Sequence, residues 1–496
     1  MSFNSTPKEL IEQNINGLLS IHDSWQRIPM DAIAKITNGF AFKSSEFNTN
    51  KDGLPLIRIR DVLKGNTSTY YSGPVPEGYW VNQEDLIVGM DGDFNTTIWC
   101  SEPALLNQRV CKIAIDEKNY SKKFFFHTLP GYLSAINANT SSVTVKHLSS
   151  RTLQETLFPL PSLAEQKIIA EKLDTLLAQV DRTKARLEKI PQILKRFRQA
   201  VLAAAVNGNL TAEWRMNNNS NIVEEEIEKI KNKLIAKKII KKDLIYSKLD
   251  RKYPIPSDWL YVKLQSIATK ITDGEHKTPK REPAGQLLIS ARNIQDGYLK
   301  LSDVDYVGDA EFQKLRNRCD PDSGDVLISC SGSIGRVCLV DENSKYVMVR
   351  SVALIKLMQD FVINKYMMYL LQSPLLQKEI EENSKSTAQA NLFLGPIKNL
   401  GIPLPPVPEQ VEIVRRVEQL FAYADTIEKQ VNSALTRVNS LTQSILAKAF
   451  RGELTAQWRA ENPDLISGEN SAAALLEKIK AERAASGSKK TTRKKA

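Results

Sequence analysis

The sequence has few of the residues on which metal centres, disulfides and membrane spans depend. Its five cysteines form no Cys-x-x-Cys pair and its four histidines are scattered, so no zinc-ligand pattern is present. We expect reduced, mostly buried thiols. No apolar run approaches the roughly 18 residues of a transmembrane helix, and the N-terminus lacks the layout of a signal peptide. These absences predict a cytoplasmic chain with no membrane segment.

Motifs of familiar enzymes are also absent. The sequence contains no G-x-x-x-x-G-K-[ST] phosphate loop, no G-x-G-x-x-G turn, and no H-E-x-x-H, G-x-S-x-G or deaminase pattern. The Asn/Asp-Pro-Pro-aromatic loop of an adenine methyltransferase is missing as well. We predict a non-catalytic chain. The alternative is an enzyme with an unfamiliar site, which would show turnover by the purified chain alone.

The net charge of +11 favours a nucleic-acid partner, because lysine and arginine release counterions from phosphates. The charge is unevenly distributed. Residues 1–158 hold 15 basic and 16 acidic side chains, so a DNA-binding surface in this part must be a local patch. The last eight residues hold five basic groups, which leaves +6 for the rest of the chain; they are Lys489, Lys490, Arg493, Lys494 and Lys495.

The strongest positive signal is an internal repeat. PLPSLAEQ at 159–166 recurs as PLPPVPEQ at 403–410, and residues 159–215 align with 403–459 without a gap, at 19 identities in 57 positions and an offset of 244. The segments before these repeat more loosely, with LIRIRDV resembling LISARNI and EDLIVGMDGD resembling GDVLISCSGS. Short β-rich runs bounded by Asp, Gly, Asn and Pro predict a mixed, strand-rich domain in each.

The repeated segments predict long helices. Ser162 and Glu165 form a capping-box pattern at the start of the first, and Gly208 and Gly452 stand where a C-terminal glycine belongs. Apolar residues then alternate at spacings of three and four over about four heptads, which is typical of a coiled coil. The predicted seams are Leu173, Leu176, Val180, Thr183, Leu187, Ile190, Leu194, Phe197 and Val201 in the first helix, and Val417, Leu420, Ala424, Ile427, Val431, Ala434, Val438, Leu441 and Ile445 in the second.

Two such helices in one chain bury their apolar stripes most simply by packing against each other, as an antiparallel pair. We expect a kink or break at Pro191, where the second helix has Leu435. From Leu173 to Val201 a helix spans about 42 Å at about 1.5 Å per residue, against about 34 Å for one duplex turn. Two similar domains so separated could each read one stretch of DNA, or the helices could be a generic spacer between binding modules.

A charged linker follows the first helix. Residues 224–248 alternate in sign at helical spacing, and Glu-Lys-Ile-Lys at 228–231 recurs at 477–480. We favour a solvated helix here over a partner-binding element.

The two copies of the repeat resemble the central and C-terminal conserved regions of HsdS, the specificity subunit of type I restriction-modification systems, most closely the enteric type IA group. The resemblance covers essentially the whole chain, and the remaining parts look like its two target recognition domains. The phrases that resemble the family there are ITNGFAFKS (36–44), ITDGEHKTP (271–279), ARNIQDG (291–297) and SGSIGRV (331–337).

The resemblance implies an α+β fold, in which two mixed, strand-rich target recognition domains are joined by two long helices packed as an antiparallel coiled coil, with a pseudo-twofold internal repeat. The segments are then a first recognition domain (1–158), a central conserved helical region (159–216), a charged helical linker (217–258), a second recognition domain (259–402), a C-terminal conserved helical region (403–459) and a helical segment with a basic tail (460–496).

The resemblance also implies partners. One such subunit joins two methyltransferase (M) subunits to methylate adenine N6 on each strand of a bipartite site in double-stranded DNA, and two motor-nuclease (R) subunits add ATP-dependent translocation and cleavage. Each recognition domain reads one half-site, while the helices dock the M subunits and fix the gap. S-adenosylmethionine, ATP and Mg²⁺ belong to those partners, and we expect no cofactor or metal on this chain. The alternative is a coiled-coil adaptor with two protein-binding domains and no nucleic acid.

Candidate DNA contacts are basic and amide side chains in the family-like loops, because Arg and Lys donate to guanine and Asn pairs with adenine. They are Lys43, Arg58, Arg60, Asn95 and Arg109 in the first domain and Lys277, Lys280, Arg281, Arg292 and Arg336 in the second. Phe40, Tyr70 and Tyr71 could stack on bases, although a core or rim role is the favoured interpretation. The loops differ between the domains, which predicts an asymmetric, non-palindromic target.

Overall fold

The computed structural model describes residues 6–140, 146–218, 224–240, 249–384 and 390–492. The chain divides into two compact units, one made of Met1–Glu188 with Ser433–Ala496 and the other of Lys189–Asn432. Each unit therefore combines one strand-rich domain with parts of both repeated segments. Residues 219–223 and 241–248 of the charged linker and the basic end of the tail, Arg493, Lys494 and Lys495, lie outside the described residues.

Helices and strands alternate through both domains. The α-helices of the described ranges are α1 Pro7–Gln13, α2 Lys122–Asn139, α3 Ser150–Glu155, α4 Leu163–Leu187, α5 Ile190–Val206, α6 Ala212–Asn217, α7 Glu224–Ala236, α8 Asp309–Arg318, α9 Asn364–Gln372, α10 Pro374–Ser384, α11 Leu394–Asn399, α12 Val407–Phe450, α13 Ala456–Glu461 and α14 Ala472–Thr492. The strands are β1 Gln26–Pro29, β2 Ala34–Asn38, β3 Phe47–Asn48, β4 Leu54–Ile57, β5 Tyr70–Tyr71, β6 Trp80–Val81, β7 Leu86–Gly89, β8 Thr96–Ile98, β9 Ala104–Leu106, β10 Val110–Ile115, β11 Leu157–Leu160, β12 Leu260–Lys263, β13 Ala268–Asp273, β14 Arg281–Glu282, β15 Gln286–Ile289, β16 Ile294–Gln295, β17 Tyr298–Leu299, β18 Asp305–Val307, β19 Val326–Ser329, β20 Val337–Leu339, β21 Tyr346–Met348, β22 Val352–Leu357 and β23 Gly401–Leu404.

The strand-rich domain of the first unit contains an antiparallel sheet in the order β2-β10-β7-β8. A second sheet has the order β3-β5-β4-β9-β6, with β4 and β9 parallel. Strand β1 pairs with β11, which directly precedes α4, so the domain closes where the long helix begins. Helix α2 buries aromatic side chains against this closure, with the Phe125 and Tyr132 rings stacked 4.8 and 4.5 Å from the Phe158 ring.

The second unit repeats this topology. Its antiparallel sheet has the order β13-β22-β19-β20, β15 and β21 form a parallel pair, and β12 pairs with β23 directly before α12. The segments matched in sequence occupy equivalent strands. LIRIRDV and LISARNI contain the ends of β4 and β15, and EDLIVGMDGD and GDVLISCSGS contain β7 and β19. The looser repeat predicted between the domains is therefore confirmed.

Helix pairing in the second unit is antiparallel. The Arg198 guanidinium in α5 donates to Asp425 (2.6 Å) and Glu428 (2.9 Å) of α12. Beyond the end of α5, the carbonyl of Leu210 accepts from Arg416 (2.7 Å), which lies earlier in α12 than Asp425. In the first unit, α4 shares a core with the last residues of α12. The predicted antiparallel packing is confirmed within each unit.

Burial along the helices follows a seven-residue period. The buried seam positions are Leu173, Val180, Leu194 and Val201 in α4 and α5, and Val417, Ala424, Val431 and Val438 in α12. The seam prediction is wrong at Leu441, which is 46% exposed. In the first unit, Arg459 donates to Glu165, and the antiparallel register set by this pair places Leu441 beside Thr183. Thr183 is the polar position of the first seam and is also exposed.

The break predicted at Pro191 is present. Helix α4 ends at Leu187 and α5 begins at Ile190, with the proline in its first turn, where a missing amide costs no helical hydrogen bond. Leu435 stands at the corresponding place in α12, and that helix runs from Val407 to Phe450 without interruption.

Two buried carboxylates hold the helix starts against the rest of each unit. Glu165 accepts hydrogen bonds from Trp25 (2.9 Å), Thr455 (2.7 Å) and Arg459 (2.6 Å). The capping-box prediction is half right: the Ser162 hydroxyl accepts from the Glu165 amide, but the Glu165 carboxylate turns to these distant partners instead of the Ser162 amide. Distant donors outcompete the local amide because they include a cation.

The second unit contains the same network. Glu409 is buried and accepts from Trp259 Nε1 (2.8 Å), Thr211 Oγ1 (2.7 Å) and Arg215 Nη2 (2.7 Å). Thr211 and Arg215 belong to the first copy of the repeat, and Glu409 belongs to the second. Each copy therefore supplies the threonine and arginine that the other copy's glutamate needs.

The charged linker is not simply a solvated helix. Ile227 in α7 is fully buried in the core of the second unit, and Ile230 and Leu234 pack against that core. The related sequence in α14 behaves alike in the first unit, where Leu475 and Ile479 are buried. The solvated interpretation was wrong because the apolar positions between the charges form one helical face.

Four of the cysteines are buried, and burial raises the pKa of each of these thiols to about 12; they are Cys111, Cys319, Cys330 and Cys338. Cys100 is exposed, and all five are free thiols, as expected. None of the helices in the described ranges combines the length and apolar character needed to cross a bilayer.

Candidate nucleic-acid interface

Three loops meet at one edge of the antiparallel sheet in the first unit. Because β10 runs antiparallel to both β2 and β7, the ends of β2 and β7 lie beside the start of β10. Gly39 makes this approach possible, since a Cβ there would lie 1.9 Å from the Asn107 carbonyl oxygen. The loop after β7 is tied to the same region by a bridge between Asp91 and His147. Close packing against the Asn107 carbonyl therefore explains why ITNGFAFKS has a glycine at position 39.

Arg109 lies at this edge in an ion pair with Asp91. The second carboxylate oxygen of Asp91 is 2.6 Å from His147 Nδ1. Asp91 is largely covered, with 13% of its side chain exposed, whereas 57% of the Arg109 side chain faces solvent. The arrangement places a fixed guanidinium at the rim of the loops.

The other predicted residues of the first domain lie in neighbouring loops. Lys43 is exposed in the loop after β2, and Asn95 is half-buried at the end of the loop after β7. Arg58 lies over the Phe47 ring at 5.9 Å, directly after β4, and Arg60 reaches the Thr69 hydroxyl at 3.4 Å. Strand β4 is parallel to β9, so the two strands end side by side, and β9 leads into the loop that contains Arg109. The five candidate residues of the first domain therefore lie at adjoining strand ends.

The aromatic candidates of this domain separate into two groups. Tyr71 is buried and contacts the Phe42 ring at 4.8 Å, so it has the core role that we favoured. Tyr70 is half-buried, and Phe40 keeps 39% exposure beside Phe42 and Tyr79. Of the three, Phe40 offers the most open ring.

The corresponding edge of the second unit is built the same way. A Cβ at Gly274 would lie 2.1 Å from the Met348 carbonyl oxygen, and Ser331 bridges Asn391 as Asp91 bridges His147. Backbone amides of Lys277 and His276 donate to Glu275, and these hydrogen bonds hold the pKa of its carboxyl below the ordinary value. A carboxylate therefore orders the ITDGEHKTP loop.

Two predicted arginines of this unit share one carboxylate. Arg281 Nε donates to Asp305 at 2.9 Å, and Arg292 Nη2 lies 2.9 Å from the other oxygen of Asp305. Arg336 donates to the Gln295 side chain at 3.0 Å. The remaining candidates, both exposed in the loop between β13 and β14, are Lys277 and Lys280.

Sequence reasoning missed several polar residues at these edges. His276 lies 2.9 Å from Asp273, whose other oxygen pairs with Arg318 (3.2 Å). Asp273 and Arg350 line a cavity of about 330 Å³ together with Asn391. The sequence signal that could have found Asp273 is the alignment of ITNG with ITDG. It makes Asp273 the equivalent of Asn38, and each residue ends a strand at the same edge of its own domain's sheet.

Comparison with known proteins identifies the family. A family profile described as the type I restriction modification DNA specificity domain matches residues 22–192 and 256–437. The chain belongs to the type I restriction-modification specificity subunits. The EcoBI specificity subunit of Escherichia coli is 61% identical to it over 501 residues, covering 100% of both chains. The EcoKI specificity subunit of Escherichia coli K12 is 39% identical, covering 95% of this chain and 98% of that one.

The fold has a solved relative as well. A chain from a study of complex assembly and conformational transition in the type I R-M system aligns with a TM-score of 0.56 at 15% identity, over 88% of this chain and 99% of its own length. The resemblance of this specificity subunit to HsdS proteins of the enteric type IA group is confirmed. Its fold of mixed domains and long helices is confirmed too.

Proposed function

We propose that each strand-rich domain of this specificity subunit reads one half of an asymmetric bipartite site in double-stranded DNA. The observation that carries the proposal is a pair of equivalent loop edges with different chemistry. Arg109 directly precedes β10, whereas Ser351 directly precedes the equivalent strand β22 and accepts from the Ala291 amide. Different donors at equivalent places favour different bases.

The helices have a separate role in the proposal. They set the unread gap between the half-sites and dock two M subunits, which methylate adenine N6. With two R subunits the assembly also cleaves DNA in an ATP-dependent reaction. S-adenosylmethionine, ATP and Mg²⁺ belong to those partners, this chain is non-catalytic, and the assembly works in the cytoplasm. The enzymatic motifs absent from the sequence support this division of labour.

Mapping N6-methyladenine tests the proposal directly. The chain is co-expressed with its methyltransferase subunit in a host without other adenine methylation, and the methylated positions are mapped across the genome. We expect one bipartite, non-palindromic motif with a fixed gap. A palindrome would contradict the asymmetry. Binding to the mapped duplex should also weaken steeply as salt rises, and a chain that binds no duplex at any salt concentration would support the adaptor alternative.

Deleting one facing heptad tests the gap. Residues 194–200 and 424–430 face each other, because they contain Arg198 and its partners Asp425 and Glu428. Removing both shortens the pair by about 10 Å, so the gap should shrink by about three base pairs at about 3.4 Å each while both half-sites stay the same. The matched control replaces the three charged residues by alanine at full length and should leave the gap unchanged. An unchanged gap after the double deletion would refute the role of the helices.

A further inference from the structure

Arg109 combines three features that set it apart at the first loop edge. Its backbone is in the left-handed region, with φ of 71°, although it is not a glycine. Its carbonyl accepts from the Met90 amide (2.8 Å), and the Met90 carbonyl accepts from the Leu148 amide (2.7 Å), so the backbone around it is anchored on two sides. Its guanidinium is exposed yet paired with Asp91.

Fold stability does not account for this combination. Left-handed backbone at a residue with a Cβ costs free energy, and an ion pair whose arginine is 57% exposed returns little of it. Strained residues that the surrounding structure holds in place cluster at binding sites. The strain at Arg109 therefore points to a ligand that this side chain meets.

The geometry also indicates which ligand group fits. Asp91 occupies one edge of the guanidinium, and because its other oxygen is held by His147, the carboxylate cannot turn freely. The contact with Asp91 uses Nη1, which leaves Nη2 and Nε of the planar Arg109 guanidinium as further donors. Guanine O6 and N7 are two adjacent acceptors in the major groove that match two such donors. A phosphate is a poorer fit, since the charge of Asp91 repels it.

Resting on the proposed function, we propose that Arg109 reads a guanine of the first half-site and that Asp91, steadied by His147, is its positioning residue. Lys43, exposed in the adjoining loop, contacts phosphate instead. The second domain has Ser351 at the place of Arg109, so the contact proposed for Arg109 has no counterpart at that position of the second domain.

Genome-wide methylation maps of variants test the assignment in the complex with methyltransferase subunits. Arg109→Gln removes the donors that guanine O6 and N7 would accept from, so the preference for guanine at one base pair of one half-site should fall about 10-fold or more. Asp91→Asn should also weaken the preference for guanine at that base pair, by less than the Arg109 variant does. His147→Gln keeps a donor toward Asp91 and should keep the motif. As the matched control, Lys43→Gln should lower methylation uniformly and leave the motif unchanged.

The first part of a second measurement uses only the wild-type complex. The wild-type complex is titrated with duplexes of the mapped sequence in which each guanine in turn is replaced by 7-deazaguanine, which lacks N7. Replacement of one guanine of one half-site should weaken binding about 10-fold, and in Arg109→Gln the same replacement should have no effect. The inference is overturned if binding is unchanged whichever guanine is replaced by 7-deazaguanine. It is also overturned if the wild-type motif is bipartite and the variants of Arg109 and Asp91 both methylate that same motif. A wild-type map without a bipartite motif would instead refute the proposed function itself.

Discussion

Replacing Glu409 by glutamine removes a negative charge from the interior of the second unit. The carboxylate is inaccessible to solvent and accepts hydrogen bonds from Trp259, Thr211 and Arg215. Glutamine has nearly the same shape but offers one acceptor oxygen. Its NH2 group would face one of the N–H or O–H donors that now bind the carboxylate. Arg215 then keeps Asp258, at 3.8 Å, as a more distant carboxylate.

The expected cost follows from how buried the pair is. Removing one partner of a fully buried ion pair costs about 3–5 kcal/mol, because the other charge stays uncompensated. Arg215 keeps 20% of its side chain exposed, so water relieves part of that penalty. We therefore expect Glu409→Gln to destabilise this region by about 2 kcal/mol, which corresponds to roughly 30-fold faster local opening.

Hydrogen exchange of the full-length chain measures the effect where it arises. Peptides covering residues 207–218 and 256–262 should exchange about 30-fold faster, while the mirrored network around Thr455 and Arg459 in the first unit keeps its wild-type protection. The matched control is Glu418→Gln on the same helix, whose partner Lys365 is 53% exposed. An exposed pair of this kind contributes about 0.5 kcal/mol or less.

The outcome that refutes the reasoning is equal exchange in the two variants. A second check replaces Arg215 by methionine in the Glu409→Gln background. If the unpaired charge is the cause, this second change should restore part of the lost protection. Additive destabilisation by the two changes would mean that the carboxylate and the guanidinium act independently.

Three further predictions concern the helices. Leu435→Pro should cost about 3 kcal/mol, because it removes a hydrogen bond inside continuous α12, whereas Pro191→Leu should change the melting temperature little; equal effects would contradict the helix boundaries. Ile479→Ala should cost about 2–4 kcal/mol and speed hydrogen exchange in the first unit alone; unchanged exchange there would contradict the docking of α14. Hydrogen bonds from Arg415 and Arg416 lower the pKa of Glu412 to about 2, so its contribution is complete above about pH 4.5 and is lost as the pH falls toward 2. Glu412→Gln should therefore lose less stability than the wild type in urea titrations between pH 5 and pH 2, and parallel losses would contradict the ion pair.

Periodic features of the molecule could be predicted from sequence, and contacts between distant residues could not. The heptads of α4, α5 and α12 and the break at Pro191 follow from local spacing and backbone chemistry, so they needed no tertiary information. The role of Glu165 was missed because its partners Thr455 and Arg459 follow it by 290 and 294 residues. Local spacing instead suggested a capping box.

The candidate interface shows the same limit. Residue type and loop phrases selected Arg109, Arg281 and Arg292 as candidates, but the acidic partners that the structure gives them come from other segments of the chain. Asp91 precedes Arg109 by 18 residues, and Asp305 follows Arg281 by 24. An arginine held by a carboxylate differs from a free one in what it can contact, so the chemistry of the site depends on pairings that no motif contains.

The reciprocal networks explain why the repeated segments resemble each other more than the domains do. Glu165 needs Thr455 and Arg459 from the second copy, and Glu409 needs the matching residues of the first, so a change in one copy disturbs a unit built with the other. Each strand-rich domain supplies a single tryptophan, Trp25 or Trp259, to this arrangement. The loop edges lie outside it, and their side chains can differ, as Arg109 and Ser351 do, without disturbing the network that holds the helices.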